Sequence, residues 1–180
     1  MPSYQRPPGT LDILPEDQPY WDRVRSLAKR LAALAGFERI DTPIFEATEV
    51  FARGIGQGTD VVDKEMYSFV DKGDRDLTLR PEFTAGVVRA YIENGLYVEV
   101  KPQKLYSIGP TFRYDRPQAG RYRQFTQFNA EILGEQDPVA DLEIMTMVWD
   151  LYAGLGFRDL EFQLNSTGCP KCRPAYVEAL

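Results

Sequence analysis

Apolar residues recur at helical spacing from Tyr20 through Val24, Leu27, Leu31 and Leu34, which is one face of a 3.6-residue repeat. The pattern predicts a helix that begins near Pro15 to Asp17 and stops at Gly36, a natural residue past a helix end. Before it, Pro7-Pro8-Gly9-Thr10 cannot be helical, so residues 2–16 read as an extended arm. After it, residues 37–42 read as a strand ended by Pro43, and residues 46–55 as a short helix. Residues 66–70 and 77–79 read as strands around a turn at Lys72-Gly73-Asp74, and residues 80–84 lead into a helix over 85–93 that ends at Asn94-Gly95. Asp137-Pro138 is a cap and first-turn pair. Leu142, Met145, Trp149 and Tyr152 give the helix behind it an apolar face that reads as core. A strand over 160–165 and a final helix over 173–180 complete the pattern. Strands that follow one another through short turns, with helices between groups, argue an α+β fold on an antiparallel or mixed sheet.

The longest strand-like stretches, 105–114 and 122–133, flank a segment broken by Pro117 and Gly120. They predict two paired strands joined by a mobile loop. Arg113, Arg116, Arg121 and Arg123 fall within eleven residues around it, although the chain carries a net charge of -6. Composition therefore gives no broad track for nucleic acid, and any polyanion site must be local. Arginine grips phosphate in a planar, two-point geometry; an exposed hairpin is the plainer alternative. With 180 residues and 43% apolar content, the chain suits one soluble domain. No apolar run reaches the length of a membrane span, and residues 1–6 lack a signal peptide's apolar core, so cytoplasm is the default.

The chain contains no histidine, which removes any mechanism needing a histidine base or nucleophile from it. Cys169 and Cys172 are its only cysteines and supply two of the four ligands a structural zinc needs. A turn before a helix is the favoured reading; a redox pair, or half of a site shared with another chain, are the alternatives. Gly54, Gly56 and Gly58 lack the strand, helix and acidic partner of a dinucleotide-binding turn and read as a loop.

Along the second long strand, residues two apart share a side. Phe125, Gln127, Asn129 and Glu131 thus face one way, and Thr126, Phe128 and Ala130 face the other, toward packing. An aromatic ring, amides and a carboxylate beside arginines make a small-molecule site.

Five stretches resemble the histidyl-tRNA synthetase family, a class II aminoacyl-tRNA synthetase. Ile40-Asp41-Thr42-Pro43-Ile44-Phe45-Glu46 is similar to the first class II signature. Gly58-Thr59-Asp60-Val61-Val62-Asp63-Lys64-Glu65-Met66-Tyr67 and Leu79-Arg80-Pro81-Glu82-Phe83-Thr84-Ala85 resemble histidyl-specific segments. Phe112-Arg113-Tyr114-Asp115-Arg116-Pro117-Gln118 through Glu131 resembles the second class II signature. Leu164-Asn165-Ser166-Thr167-Gly168-Cys169 resembles a following segment.

The resemblance implies a class II synthetase-like antiparallel sheet flanked by helices, working as a homodimer. It implies that Arg113 binds the α-phosphate of ATP and the amino-acid carboxylate. Asp115 (at the usual glutamate position) and Arg121 would contact ATP, and Phe125 would stack on adenine. Glu82, Thr84 and Gln127 would hold the amino and carboxylate groups of histidine, and Glu131 a nitrogen of its imidazole. Arg116 and Gln118 would meet the acceptor end of tRNA(His). Mg2+ would accompany the ATP phosphates, with no metal held by protein alone. Thr126 stands where the family has histidine, and Phe83 where many members have glycine; Thr126 is expected to face away from the pocket, Phe83 to narrow it or to pack. Ending inside a helical pattern, residues 1–180 read as a truncated catalytic domain, without the family's insertion, third signature and anticodon-binding domain. A synthetase-like regulatory subunit of ATP phosphoribosyltransferase and a purely dimerising fragment are the alternatives.

Overall fold

The computed structural model describes residues 4–55, 65–165, 171 and 173–179. Gly56, Gly58, Cys169 and Cys172, with much of the stretches 58–67 and 164–169, lie outside the described residues. The element order is α1 (Gln18–Leu34), β1 (Glu38–Arg39), β2 (Phe45–Ala47), α2 (Thr48–Ile55), β3 (Tyr67–Val70), β4 (Asp76–Leu79), α3 (Thr84–Glu93), a 3-10 turn (Leu96–Val98), β5 (Gln103–Phe112), β6 (Gln124–Leu133), α4 (Val139–Gly154) and α5 (Arg173–Ala179).

The strands form two three-stranded sheets, ordered β1-β5-β6 and β2-β4-β3. In the first, β5 and β6 pair antiparallel from Gln103↔Leu133 to Phe112↔Gln124, while β1 runs parallel to β5. The sheet is therefore mixed at one edge. The second is antiparallel throughout. Arg80 joins the two sheets: its N–H donates to the carbonyl of Ile44 at 2.8 Å, and its own carbonyl accepts from Phe112 N–H at 2.9 Å.

Side-chain alternation gives the β5–β6 hairpin two different faces. Tyr106, Ile108, Phe128, Ala130 and Ile132 pack on Phe37, on Leu31, Ala32 and Ala35 around the end of α1, and on Ile144 and Met147 of α4. On the other face, Leu105 and Leu133 meet Phe83, Val87 of α3, Ile40 and Leu96. Helices thus cover both sides.

Several expectations require correction. α1 forms where its periodicity predicts, but Tyr20, Val24 and Leu34 stand exposed and the buried positions are Ala28 and Ala32. Small residues let the helix approach the sheet closely, and the bulky stripe beside them stays at the rim. α4 repeats the pattern: Leu142, Trp149 and Tyr152 are exposed, whereas Met147 is 4% exposed and belongs to the core. Residues 160–165 form no strand; no described strand lies alongside to supply a ladder. The strand over 37–42 shrinks to β1, and β2 precedes a shorter α2 that contains Gly54.

Candidate functional site

The chemistry gathers on the face of the hairpin that carries odd-numbered residues. Register sets Leu105 opposite Glu131, Ser107 opposite Asn129, Gly109 opposite Gln127 and Thr111 opposite Phe125. Arg113 continues the same alternation, its N–H donating to the carbonyl of Arg123 at 2.9 Å. Phe125, Gln127, Asn129 and Glu131 therefore share the side of Arg113.

Residues 81–84 cross this face. Arg113 Nε donates to the carbonyl of Pro81 at 3.0 Å, and its guanidinium lies 5.4 Å from the centre of the Phe125 ring. At the far end, Thr84 Oγ1 donates to Glu131 Oε1 at 2.5 Å, and Asn129 Nδ2 donates to the same oxygen at 3.2 Å. Three residues of backbone, at most about 11 Å, separate the two anchor points. The Arg113 guanidinium and the Glu131 carboxylate are thus anchored to the two ends of one short segment on the same face.

Each group keeps capacity for something else. No hydrogen bond among the described residues engages the two terminal nitrogens of Arg113 or Oε2 of Glu131. Oε1 of Gln127 is buried without a partner. A buried acceptor left unpaired costs about 1–3 kcal/mol, a cost that a donor arriving with a ligand removes. Glu82, in contrast, is engaged: its carboxylate accepts the backbone N–H groups of Thr84 and, at 3.0 Å, of Ala85, capping the start of α3.

At the loop end of the hairpin, Arg113, Asp115, Gly120, Arg121, Tyr122, Phe125 and Thr126 line a hollow of about 380 Å³. Asp115 pairs with Arg121 and accepts the Arg116 N–H at 2.6 Å. Gln118 and Arg121 exchange backbone hydrogen bonds of 3.2 and 2.9 Å, closing the loop into a narrow turn. The side chains of Arg116 and Gln118 are exposed outside this hollow; Gln118, with Pro117, borders a second one formed with the N-terminal arm. Thr126, opposite Pro110 in the register, lies on the other face of the hairpin from Phe125 and Gln127, as expected, although it also borders the first hollow. Phe83 packs: it is 1% exposed, under the Arg80 guanidinium at 4.1 Å.

Glu82 and Thr84 also line a larger cavity of about 810 Å³ between α2 and α3, with Val88, Ile92, Arg53 and Arg89. Arg113, Gln127 and Glu131 are not among its lining residues. Arg89 there is committed to Glu46 and Glu93, which hold its pKa above the usual value. Among the described residues, no three His, Cys, Asp or Glu side chains gather into a metal site. Arg80 and Gly9 carry positioning contacts that the sequence reading left unassigned; the Pro-Pro-Gly order before Thr10 was the available signal for Gly9.

A long antiparallel hairpin beside a parallel strand, flanked by helices and bearing arginines in its connecting loop, is the catalytic-core architecture of class II aminoacyl-tRNA synthetases. Residues 9–170 match the histidyl-tRNA synthetase family, and the chain belongs to it. Similar curated proteins include the histidine–tRNA ligase of Dehalococcoides mccartyi, 57% identical over 98% of this chain and 42% of its own length. That of Desulfitobacterium hafniense is 54% identical over the same shares. Apo histidyl-tRNA synthetase of S. aureus superposes with a TM-score of 0.82 at 42% identity, over 98% of this chain and 41% of that one. A Bacillus halodurans protein described as an ATP phosphoribosyltransferase regulatory subunit/histidyl-tRNA synthetase shares the fold (TM-score 0.73) at 22% identity, over 87% of this chain and 39% of that one. The chain spans about 42% of the length of the curated relatives it matches.

Proposed function

We propose that residues 1–180 are the histidine- and ATP-binding part of a class II catalytic domain, whose whole protein activates histidine and transfers it to tRNA(His). The observation that carries this is the common face of Arg113, Gln127 and Glu131, with unspent hydrogen-bonding capacity on all three.

The amino-acid end of the site has the polarity of histidine. Gln127 Oε1 would accept from the substrate ammonium, with Thr84 and Glu82 nearby, and Glu131 Oε2 would accept from an imidazole N–H. Thr84 and Asn129 hold Glu131 in place through Oε1, which leaves one oxygen for the ligand. An amino acid without the imidazole donor would leave that carboxylate unpaired, and polar sites of this kind discriminate strongly. At the other end, Phe125 offers a face for adenine, and Asp115 and Arg121 border the same hollow.

In the reaction, a carboxylate oxygen of histidine attacks the α-phosphorus. The bond to the bridging oxygen breaks, and pyrophosphate leaves with that electron pair. No proton has to move, so the absence of histidine side chains from this chain is no obstacle. Arg113 would meet the charge developing on the phosphate oxygens, an effect worth about 3 kcal/mol for one fixed donor. The residues present suit phosphate rather than a protein-built metal cage. Mg2+ would enter with ATP, holding mostly phosphate and water and neutralising the leaving charge. Arg116 and Gln118 are the loop side chains free to meet the tRNA acceptor end. The same function carries with it a homodimer working in the cytoplasm.

Calorimetric titration of the 180-residue chain with histidine and with ATP tests this. Gln127→Leu is expected to leave the unliganded stability unchanged or raised, because an unpaired buried acceptor disappears. The same change should weaken histidine binding by about tenfold or more. A wild-type chain that binds neither ligand, or a Gln127→Leu chain that binds histidine normally, would sink the proposal.

A further inference from the structure

Among the described residues, the backbone hydrogen bonds between the N-terminal arm and the arginine loop converge on Gly9. The Gly9 carbonyl accepts the N–H groups of Arg123 at 2.7 Å and Gln124 at 3.3 Å. Arg123 in turn accepts the N–H of Arg113 at 2.9 Å. One line of hydrogen bonds therefore runs from the arm, through Arg123, to Arg113.

The arm is shaped to make this contact. Thr10 N–H and Oγ1 both donate to the Pro7 carbonyl, at 3.2 and 2.7 Å. With Pro8 then Gly9 between them, and Gly9 at φ +80°, the residues adopt the order and conformation of a type II turn. Gly9 is required twice over. Its φ is one that side-chain-bearing residues avoid, and a Cβ there would stand 2.7 Å from Arg123 Cγ and 2.9 Å from Cδ.

Arg123 is held from the other side as well. Its guanidinium stacks 4.1 Å from the Tyr114 ring centre, and its Nε donates to the Asp115 carbonyl at 3.0 Å. Asp115 then pairs with Arg121. Gly9 therefore lies against a side chain whose far end donates to the carbonyl of Asp115, at the rim of the Arg113–Phe125 hollow.

We propose that the N-terminal arm is a clamp on the arginine loop, with Gly9 the positioning residue that sets Arg123 and, through it, Asp115 and Arg121. This rests on the reading of that hollow as the ATP site. A loop already held in place binds without a further ordering cost, whereas a released loop must be ordered by the ligand. Gly9 touches no substrate; it acts through Arg123.

The test compares the wild-type 180-residue chain with Gly9→Ala, and with Thr10→Val as a milder second variant that removes only the hydroxyl bond of the turn. Amide hydrogen exchange is read without ligand, and ATP and histidine affinities are read separately. Gly9→Ala should speed exchange of the Arg123 and Gln124 amides by about tenfold and weaken ATP binding by about tenfold. Histidine affinity and exchange in α4 should not move, which a general loss of stability would not allow. Thr10→Val should shift the same two readouts in the same direction by a smaller factor, and serves alone if Gly9→Ala fails to fold. Unchanged Arg123 exchange, or faster exchange with unchanged ATP affinity, would overturn the clamp. If the wild type binds no ATP, the functional reading fails first. Exchange then decides the clamp by itself, accelerated Arg123 exchange supporting it and unchanged exchange overturning it.

Discussion

Arg80 carries a charge at 5% exposure, and among the described residues no carboxylate forms an ion pair with it. Its guanidinium spends its donors on carbonyls: Nε on Pro110 at 2.8 Å, Nη1 on Thr42 at 2.9 Å and, more weakly, on Pro43 at 3.5 Å. Burial pushes its pKa below the ordinary arginine value, with Asp41 acting the other way. Gly109 makes room for it, since a Cβ there would stand 2.7 Å from Nη2. Removing the donors would leave buried carbonyls on two separate segments unpaired. Arg80→Met is therefore expected to cost about 3 kcal/mol, seen as a lower urea midpoint at unchanged slope. Nothing near position 80 in the sequence announces this role. The acceptors lie 30 to 38 residues away, and only the folded chain brings them together. Residue types at Arg113, Gln127 and Glu131 did announce a polar site, because a strand's alternation is readable without the fold. Their partners at Pro81 and Thr84 belong to a tertiary crossing and were not readable as contacts.

Among the elements, the hairpins were legible and the helix faces were not. A strand's period is exact, so the β5–β6 register follows from which residues must be apolar; a helix face is blurred when small residues do the packing, as Ala28 and Ala32 do in α1. The β3–β4 hairpin shows how local chemistry fixes a turn. Asp71 Oδ1 accepts the N–H groups of Gly73 at 2.8 Å and Arg75 at 3.0 Å, while Oδ2 takes Arg75 Nε at 2.8 Å. The Arg75 side chain first, and the backbone donors with it, hold the Asp71 carboxyl at about 2, below its ordinary 3.8. Because the folded value is the lower one, the contribution to stability is full above the unfolded value. It is lost as pH falls through the window from 3.8 to about 2. A carboxyl-carbon NMR titration should give a midpoint near the lower figure for Asp71. Arg75→Ala should move that midpoint back up, and an unmoved midpoint would assign the shift to the backbone donors alone.

At the scale of the whole molecule, the β5–β6 hairpin separates stability from chemistry. One face carries the larger apolar cluster around Phe37, Tyr106 and Met147, between α1 and α4. The other carries Arg113, Gln127 and Glu131 and is crossed by the segment 81–84, whose Phe83 packs with Val87 and Leu105. Substitutions on the two faces should therefore differ in kind. Met147→Ala empties a space in a site that is 4% exposed, which should cost about 2–5 kcal/mol. Ligand affinity should be untouched in the folded fraction, because a sheet's thickness lies between the cavity and the site. Phe83→Ala should cost about 3–5 kcal/mol and, in addition, weaken histidine binding. Phe83 sits under Arg80 and between Pro81 and Thr84, so its loss lets the anchors of Arg113 and Glu131 drift apart. Denaturant unfolding and calorimetric titration of both variants, at a temperature where each remains folded, separate the two effects. Equal losses of histidine affinity in the two variants would mean that the hairpin transmits core strain to the site and does not divide the molecule in this way.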